Sequence, residues 1–438
     1  MNFSSHPTTM SLRIAPTRRH LEYTDETPFF YLGDTAWEML HRLNREEMDY
    51  YLENRARKGF TVIQTVLLAE LDGLNAPNVY GDKPLCDNDP TRPNEPYFAH
   101  ADYMIAKAAQ LGLFVGLLPT WGSHWKSENG GPTGIFTPER AATYGRFLGA
   151  RYKDAPLIWI LGGDQNVDTP QEMAVIEALA RGLRAGDDGA HLITFHPRGP
   201  GQSSDKLHHA EWLDFNMSQS SHGAPDHDNG LFTAHDYALQ PPKPTVDGEP
   251  RYENLNVGFY NTDAVNVRRF DDYDVRQAAY WSLLAGACGH TYGNNSLWQI
   301  WRPGDKGLYG AYVPWHEALD HPGAFQMGLM RRFFESRAFQ KLVPDQSLIL
   351  DGPTFGGAKI RAARANDGSF ALVYSPRGVS FTMRQDVVTR PKVRASWFDP
   401  RYGVEIHLHS TTSPGIQTFA PPTSGRGCDW VLVLEEEK

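Results

Sequence analysis

The sequence predicts an α/β chain: a (β/α)8 TIM barrel over residues 29–340, followed by a small C-terminal β-sandwich over residues 341–438. Three observations lead to this expectation. From residue 29 onward, short apolar runs alternate with amphipathic helical stretches, the pattern of a parallel sheet covered by helices. Eight strand candidates follow one another in this way, enough to close a barrel. From about Leu342 the helical stretches stop, and strand-like pieces succeed one another between turn residues, as they do in a sandwich. An open doubly wound sheet is the alternative for the first part.

Residues 1–28 contain Leu12–Ile14 and Arg19–Glu22 ahead of a turn at Thr24-Asp25-Glu26-Thr27-Pro28. They fit an N-terminal β-hairpin or extension, placed at the barrel's base or added to the sandwich. Strand one is Phe29–Gly33, leading to a helix near Arg45–Lys58. Strand two, Thr61–Leu68, leads to a helix near Phe98–Gln110. Strand three is Leu113–Pro119, and its helix Pro138–Tyr152 starts where Thr137 suits the cap and Pro138 the first turn. Strand four, Leu157–Leu161, precedes Gln171–Ala185, which is entered through Thr169-Pro170 and ended by Gly186. Leu192–Phe195, Phe215–Gln219 and Pro244–Val246 read as strands five to seven, Asp274–Ala287 as the seventh helix and His290–Tyr292 as strand eight. The sandwich strands are read at Ser347–Leu350, Phe370–Tyr374, Arg394–Phe398, Val404–His407 and Trp430–Leu434.

Hydrophobic residues at 40% and charged residues at 21% describe a globular chain with a real core and argue against disorder. Acidic residues outnumber basic ones, 52 to 42, and no Lys/Arg run tracks a phosphate backbone, so nucleic acid is not an expected partner. No stretch reaches the ~18 apolar residues of a membrane span, so no membrane partner is expected either. The N-terminus carries no apolar leader, which reads as cytoplasmic, or as secreted or periplasmic if a leader has been removed. Cys86, Cys288 and Cys428 lie far apart without CxxC spacing, so neither a disulfide framework nor a cysteine metal site is suggested. No cofactor motif is present, no cofactor is expected, and nothing in the pattern sets an oligomeric state.

A barrel of this kind does its chemistry at the C-terminal ends of its strands, where the loops converge on one mouth. Strand one ends in Gly33-Asp34-Thr35-Ala36-Trp37, strand three in Pro119-Thr120-Trp121-Gly122-Ser123-His124 and strand four in Gly162-Gly163-Asp164-Gln165-Asn166. Strand five ends in His196, strand six in Gln219-Ser220-Ser221-His222 and strand seven in Asp247-Gly248-Glu249-Pro250-Arg251-Tyr252-Glu253. Breaking an acetal requires an acid for the departing oxygen and a second carboxylate, which acts on carbon or on water. Asp164 and Glu249 are too distant in sequence for a local element to pair them, but the ends of strands four and seven meet across a barrel mouth. Taken singly, each motif also reads as a turn or helix cap.

Around this pair, Asp34, Trp37, Trp121, His124, Gln165, Asn166, His196, Gln219, His222, Tyr252, Glu253 and Trp298 are the candidate carbohydrate contacts. For each of them, packing is the competing reading. His124, His196 and His222 also raise a metal-dependent hydrolase, although no HxH or HExxH spacing supports one and no metal is expected. A non-catalytic carbohydrate-binding barrel is a further alternative, against which the presence of both carboxylates counts.

These motifs carry a resemblance. Phe29-Phe30-Tyr31-Leu32-Gly33-Asp34-Thr35-Ala36-Trp37, Trp159-Ile160-Leu161-Gly162-Gly163-Asp164-Gln165-Asn166 and Asp247-Gly248-Glu249-Pro250-Arg251-Tyr252-Glu253 together resemble the apiosidase-like glycoside hydrolases. The tail, with Trp397-Phe398-Asp399-Pro400-Arg401-Tyr402-Gly403, Phe419-Ala420-Pro421-Pro422 and Asp429-Trp430-Val431-Leu432-Val433-Leu434, resembles their companion domain, which bears a collagen-binding label. The resemblance implies a retaining barrel glycosidase with Asp164 as acid/base and Glu249 as nucleophile. It implies a plant-derived glycoside or oligosaccharide as substrate, a furanoside such as a β-apiofuranoside. Without an export signal, a small imported glycoside suits this chain better than pectin polymer.

Overall fold

A computed structural model describes residues 11–127, 134–220, 222–258, 267–389, 391–412 and 415–437. It opens with a three-stranded antiparallel sheet, Leu12–Ile14 (β1), Leu21–Tyr23 (β2) and Pro28–Phe29 (β3). Leu12, Leu21 and Phe29 are buried against Tyr31 and Phe114, so this sheet plugs the barrel floor. The expected first strand is divided: Phe29 belongs to β3, and the first barrel strand is Tyr31–Thr35 (β4).

The barrel continues through Val62–Val66 (β5), Phe114–Leu118 (β6), Leu157–Gly162 (β7) and Ile193–His196 (β8). A short Gly201–Gln202 (β9) follows, then Asn216–Gln219 (β10), Thr245–Asp247 (β11) and Gly289–Tyr292 (β12). β12 pairs in parallel with β4, Gly289 opposite Tyr31 and Tyr292 opposite Asp34. The last barrel strand thus joins the first, which leaves β8 and β10 as the two ends whose contact closes the ring and excludes an open doubly wound sheet. β8 and β10 are joined by Asp214 N–H donating to Ile193 O at 2.9 Å and Thr194 Oγ1 donating to Phe215 O at 2.7 Å, while β9 pairs antiparallel to β10.

Side chains alternate along these strands. Tyr31, Val62, Val66, Phe114, Leu118, Ile158, Ile160, Met217 and Val246 fill the barrel interior. Leu32, Ile63, Val115, Leu117, Trp159 and Leu161 face the surrounding helices. The outer helices begin as their sequences specify. Arg45–Lys58 is entered through a capping box of Asn44 and Glu47, Pro170–Asp187 through one of Thr169 and Glu172, and Asp272–Leu284 through one of Asp271 and Asp274. The two weakly marked helices are short, Ser204–Leu207 and Gly230–Ala238, and Pro322–Glu335 is the long helix after β12.

The tail forms two antiparallel sheets. One contains Leu342–Pro344 (β13), Arg361–Ala365 (β15), Phe370–Ser375 (β16), Val393–Asp399 (β18), Val404–Thr411 (β19) and Trp430–Glu436 (β21); the other contains Ile349–Asp351 (β14), Phe381–Arg384 (β17) and Ile416–Phe419 (β20). The central strand β21 shows how they pack. Trp430, Leu432 and Leu434 point between the two sheets, whereas Val431 and Val433 point at the barrel's helices. On that second face Tyr374 stacks on Tyr280 at 4.9 Å and Phe398 on Phe333 at 4.1 Å. The central strands of the larger sheet, β16, β21 and β18, are therefore buried on both faces, and each face contributes hydrophobic stabilisation, while the edge strand β19 is exposed. Among the described residues, no helix is long and apolar enough to cross a membrane.

Candidate active site

The C-terminal ends of the barrel strands surround a cleft of about 240 Å³. Asp164 and Glu249 both line it, together with Trp37, Trp121, Gln219, His222, Tyr252 and Trp298.

Asp164 is delivered by a tight backbone path. Gly162, Gly163 and Asp164 have φ of +93°, +85° and +61°, all in the left-handed region. A Cβ on Gly162 would lie 2.2 Å from the His196 carbonyl oxygen, and one on Gly163 would lie 3.0 Å from Trp121 Cα. Glycine is thus required at both positions. At Asp164 itself the conformation costs about 1 kcal/mol or more. Asp164 N–H donates to His196 Nδ1 at 3.3 Å and Gly163 N–H to His196 O at 3.2 Å. The turn is therefore seated on the end of β8.

Glu249 follows β11 by two residues. Its Oε1 accepts a 2.8 Å hydrogen bond from His222 Nε2, and its Oε2 lies 3.0 Å from His196 Nε2. His196 thus turns Nδ1 to the Asp164 backbone N–H and Nε2 to Glu249. Burial alone would push the Glu249 carboxyl up, but hydrogen bonds and charge from His196 and His222 outweigh it and hold the carboxyl far below the usual carboxylate range. Asp164 moves the other way. Burial and the charge of Glu249 push it up to about 6, against the opposing pull of His196 and His222. One carboxyl is kept ionised and its neighbour is inclined to keep a proton, the division that acid/base chemistry on an acetal needs.

The walls are aromatic. Trp37 packs on Trp121 at 5.5 Å and edge-on to His196 at 5.4 Å, the His222 ring lies 4.4 Å from Tyr252, and Trp298 lies 6.2 Å from Tyr309. Flat faces beside polar groups suit the mixed apolar and hydroxyl surface of a sugar.

Several expected contacts lie elsewhere. Asp34 does not reach the cleft. Along β4 Tyr31 points inward, so Leu32 and Asp34 point out, and Asp34 is fully buried with Arg55 Nε at 2.6 Å and a hydrogen bond from Tyr51. Glu253 also faces the helices, accepting from Tyr292 Oη at 2.6 Å and Gly323 N–H at 3.2 Å. Burial pushes its carboxyl up to about 7 despite those bonds. His124 donates to Ala69 O at 2.9 Å, Gln165 packs against Gly122, and Asn166 accepts from Arg198 N–H at 3.0 Å. These three support the walls and do not line the cleft. His196 is not a lining residue either; it acts on the carboxylates from behind. Ser221 lies outside the described residues.

The structure adds Glu70, Arg198, Gly199, Leu255 and Tyr309 to the lining. Glu70 follows β5, and burial, reinforced by the charges of Glu38, Asp164 and Glu249, pushes its carboxyl well up. Among the described residues, no three His, Cys, Asp or Glu side chains are grouped to hold a metal ion.

Comparison with known proteins bears on the family and the fold. Residues 15–341 match the family described as "Apiosidase-like, catalytic domain", and residues 343–435 match "Putative collagen-binding domain of a collagenase". A solved structure titled "Glycoside hydrolase" is similar at 35% identity and a TM-score of 0.89, covering 98% of this chain and 97% of its own. A structure described as a glycoside hydrolase family 5 from Bacteroides vulgatus is similar at 33% identity and a TM-score of 0.88, covering 97% of this chain and 93% of its own. A second Bacteroides vulgatus protein, at 14% identity and a TM-score of 0.69, shares the fold. No curated protein matches in sequence. The chain belongs to the apiosidase-like glycoside hydrolases.

Proposed function

We propose that this chain is a retaining glycoside hydrolase acting on a plant-derived glycoside or oligosaccharide, a furanoside such as a β-apiofuranoside. Glu249 is the nucleophile and Asp164 the acid/base. The observation that supports this most is the opposite tuning of the two carboxyls: Glu249 is held ionised between two imidazoles, while burial and the Glu249 charge raise Asp164 to about 6.

In the first step Glu249 attacks the anomeric carbon, the bond to the departing oxygen breaks, and Asp164 gives its proton to that oxygen. In the second, Asp164 takes a proton from water, the resulting oxygen attacks the same carbon, and Glu249 leaves as carboxylate. His196 and His222 hold the Glu249 oxygens and fix its rotamer through both steps. Trp37, Trp121 and Trp298 provide the sugar platforms, and Glu70 and Arg198 meet its hydroxyls.

The test is a panel of aryl β-apiofuranosides, α-arabinofuranosides and pyranosides, with the anomeric configuration of the first product followed by proton NMR. Furanoside hydrolysis with retained configuration is expected. Turnover confined to pyranosides would reject the furanoside assignment, and inverted product would reject the double displacement.

A further inference from the structure

We infer that the C-terminal sandwich positions His222 on the nucleophile, through a cationic clamp on the loop that carries this histidine. The inference rests on the reading of Glu249 as nucleophile.

The loop runs from the end of β10 to the helix Gly230–Ala238, and the sandwich grips its middle. Arg361, on β15, places Nη2 at 2.7 and 2.8 Å from the two oxygens of Asp228, and Lys359 Nζ lies 2.6 Å from Asp228 Oδ2. Arg377, just after β16, reaches Asp226 Oδ2 at 2.5 Å. The side chains of Asp228 and Arg361 are only 12% and 10% exposed, so this is not the solvated surface pairing that contributes little. The packing is as close as the ion pairs. A Cβ on Gly230 would lie 2.4 Å from Arg361 Nε, and one on Gly357 would lie 2.2 Å from the Asp226 carboxyl carbon. Glycine stands on each side of the interface, at the points where the clamp closes.

The grip is transmitted to the nucleophile by two routes. Asn229, next to Asp228, donates to Ser220 Oγ and, at 3.1 Å, to Asp247 Oδ2; Ser220 Oγ donates to the same Asp247 oxygen at 2.7 Å. Asp247 is two residues before Glu249, and Ser220 N–H donates to Glu249 O at 3.1 Å. The backbone on either side of the loop is thereby pinned to the strand bearing the nucleophile. The second route is His222 itself, whose Nε2 holds Glu249 Oε1. Among the described residues, the charged or titratable groups facing Glu249 or lining its cleft are His196 from β8, His222 from the clamped loop, Asp164 after β7, Tyr252 after β11, Glu70 after β5, Arg198 after β8 and Tyr309 after β12. Of these, His222 alone sits on a segment held by the sandwich. Arg361, Lys359 and Arg377 are positioning residues, and the sandwich is part of the catalytic unit without touching substrate.

The test uses Arg361→Met, Arg361→Lys and Gly230→Ala in the full chain, with thermal unfolding as the control for folding. Gly230→Ala suits the helix it starts but displaces the guanidinium. Two readouts apply: the pH profile of kcat/KM on 4-nitrophenyl β-apiofuranoside, and the side-chain 15N resonance of His222, assigned with His222→Gln. Arg361→Met and Gly230→Ala should lower kcat/KM about tenfold or more. They should also move the acid limb to higher pH, because a carboxylate that loses His222 is easier to protonate, and shift the His222 Nε2 resonance. Arg361→Lys should restore most of each effect. Folded variants with an unchanged acid limb and an unchanged His222 resonance would overturn the clamp, as would a fall in activity matching only the folded fraction. If Glu249→Ala retains full turnover, the nucleophile assignment fails separately, and the His222 resonance still decides whether the clamp exists.

Discussion

Replacing Asp429 by Ala tests whether the barrel and sandwich unfold together. Arg276, on the helix Asp272–Leu284, forks onto Asp429 with Nε at 3.0 Å and Nη2 at 2.8 Å, and the two side chains are 2% and 0% exposed. Tyr374 Oη adds a third bond to Asp429 at 3.2 Å. Removing one partner of a buried pair costs about 3–5 kcal/mol, because the other charge is left without its counter-charge. Arg276 keeps Asp272 and Gln326 at 2.6 Å each, so the lower end, about 3 kcal/mol, is expected.

The shift in Tm then reports the size of the cooperative unit. At about 2.1 cal/mol/K per residue, unfolding all 438 residues together carries roughly 0.9 kcal/mol/K, and a loss of 3 kcal/mol lowers Tm by about 3 °C. If residues 343–435 melted alone, the same loss over about 0.2 kcal/mol/K would drop their transition by roughly 15 °C. Differential scanning calorimetry should show a single transition lowered by about 3 °C, and Arg276→Met with Asp429→Leu should recover most of it. A shift under about 1 °C, or a separate early transition with the barrel's melting unchanged, would refute the coupling.

Four further outcomes follow from the site. The kcat/KM profile should fall above about pH 6, where Asp164 gives up its proton, and hold on the acid side to below the usual carboxylate range, about pH 4, where Glu249 finally gains one. A maximum near pH 8 would contradict the assignment. Gly162→Ala should cost about a hundredfold in kcat/KM, since its Cβ meets the His196 carbonyl and displaces Asp164; near-normal kinetics would show that the turn is not needed. Trp121→Ala should raise KM more than it lowers kcat in steady-state assays, reflecting a lost sugar platform. Asp34→Ala should lower Tm, because Arg55 loses a buried partner, and leave KM unchanged; a KM effect without destabilisation would return Asp34 to the cleft.

The barrel was legible because its signals are local and repeated: apolar runs of strand length, Thr-Pro helix entries at Thr137-Pro138 and Thr169-Pro170, and Gly-Gly-Asp at a strand end. The aromatic and carboxylate lining was legible for the same reason, as Trp37, Trp121, Asp164, Glu249 and Tyr252 lie within a few residues of strand ends. Asp34 and Glu253 also lie near strand ends but face the helices, because nearness to a strand end does not say which way a side chain points. The inward Tyr31 two residues from Gly33, with outward Leu32 between them, carried that information for Asp34. Glu70, Arg198 and Tyr309 sit farther along their loops, where only the folded path brings them to the cleft. Arg361–Ala365, Phe381–Arg384, Leu342–Pro344 and Ile416–Phe419 are strands that the sequence pattern does not announce. The first is Arg-Ala-Ala-Arg-Ala, without a β-branched or aromatic residue, and becomes a strand because its neighbours bury it. The clamp joins residues more than a hundred positions apart, Asp228 and Arg361, and no local pattern announces it.

The division of labour between the two carboxyls is tested most directly by azide. Asp164→Ala and Glu249→Ala are each incubated with a 2,4-dinitrophenyl β-furanoside, with and without sodium azide, and the glycosyl azide is assigned by NMR. Asp164→Ala should still release dinitrophenolate, which departs without a proton, and azide should accelerate turnover to give a glycosyl azide of retained configuration. Glu249→Ala should be inactive alone, and any azide product should be inverted. Exchange of these two patterns would swap the roles of Asp164 and Glu249, and full turnover by Glu249→Ala without azide would contradict the covalent mechanism altogether.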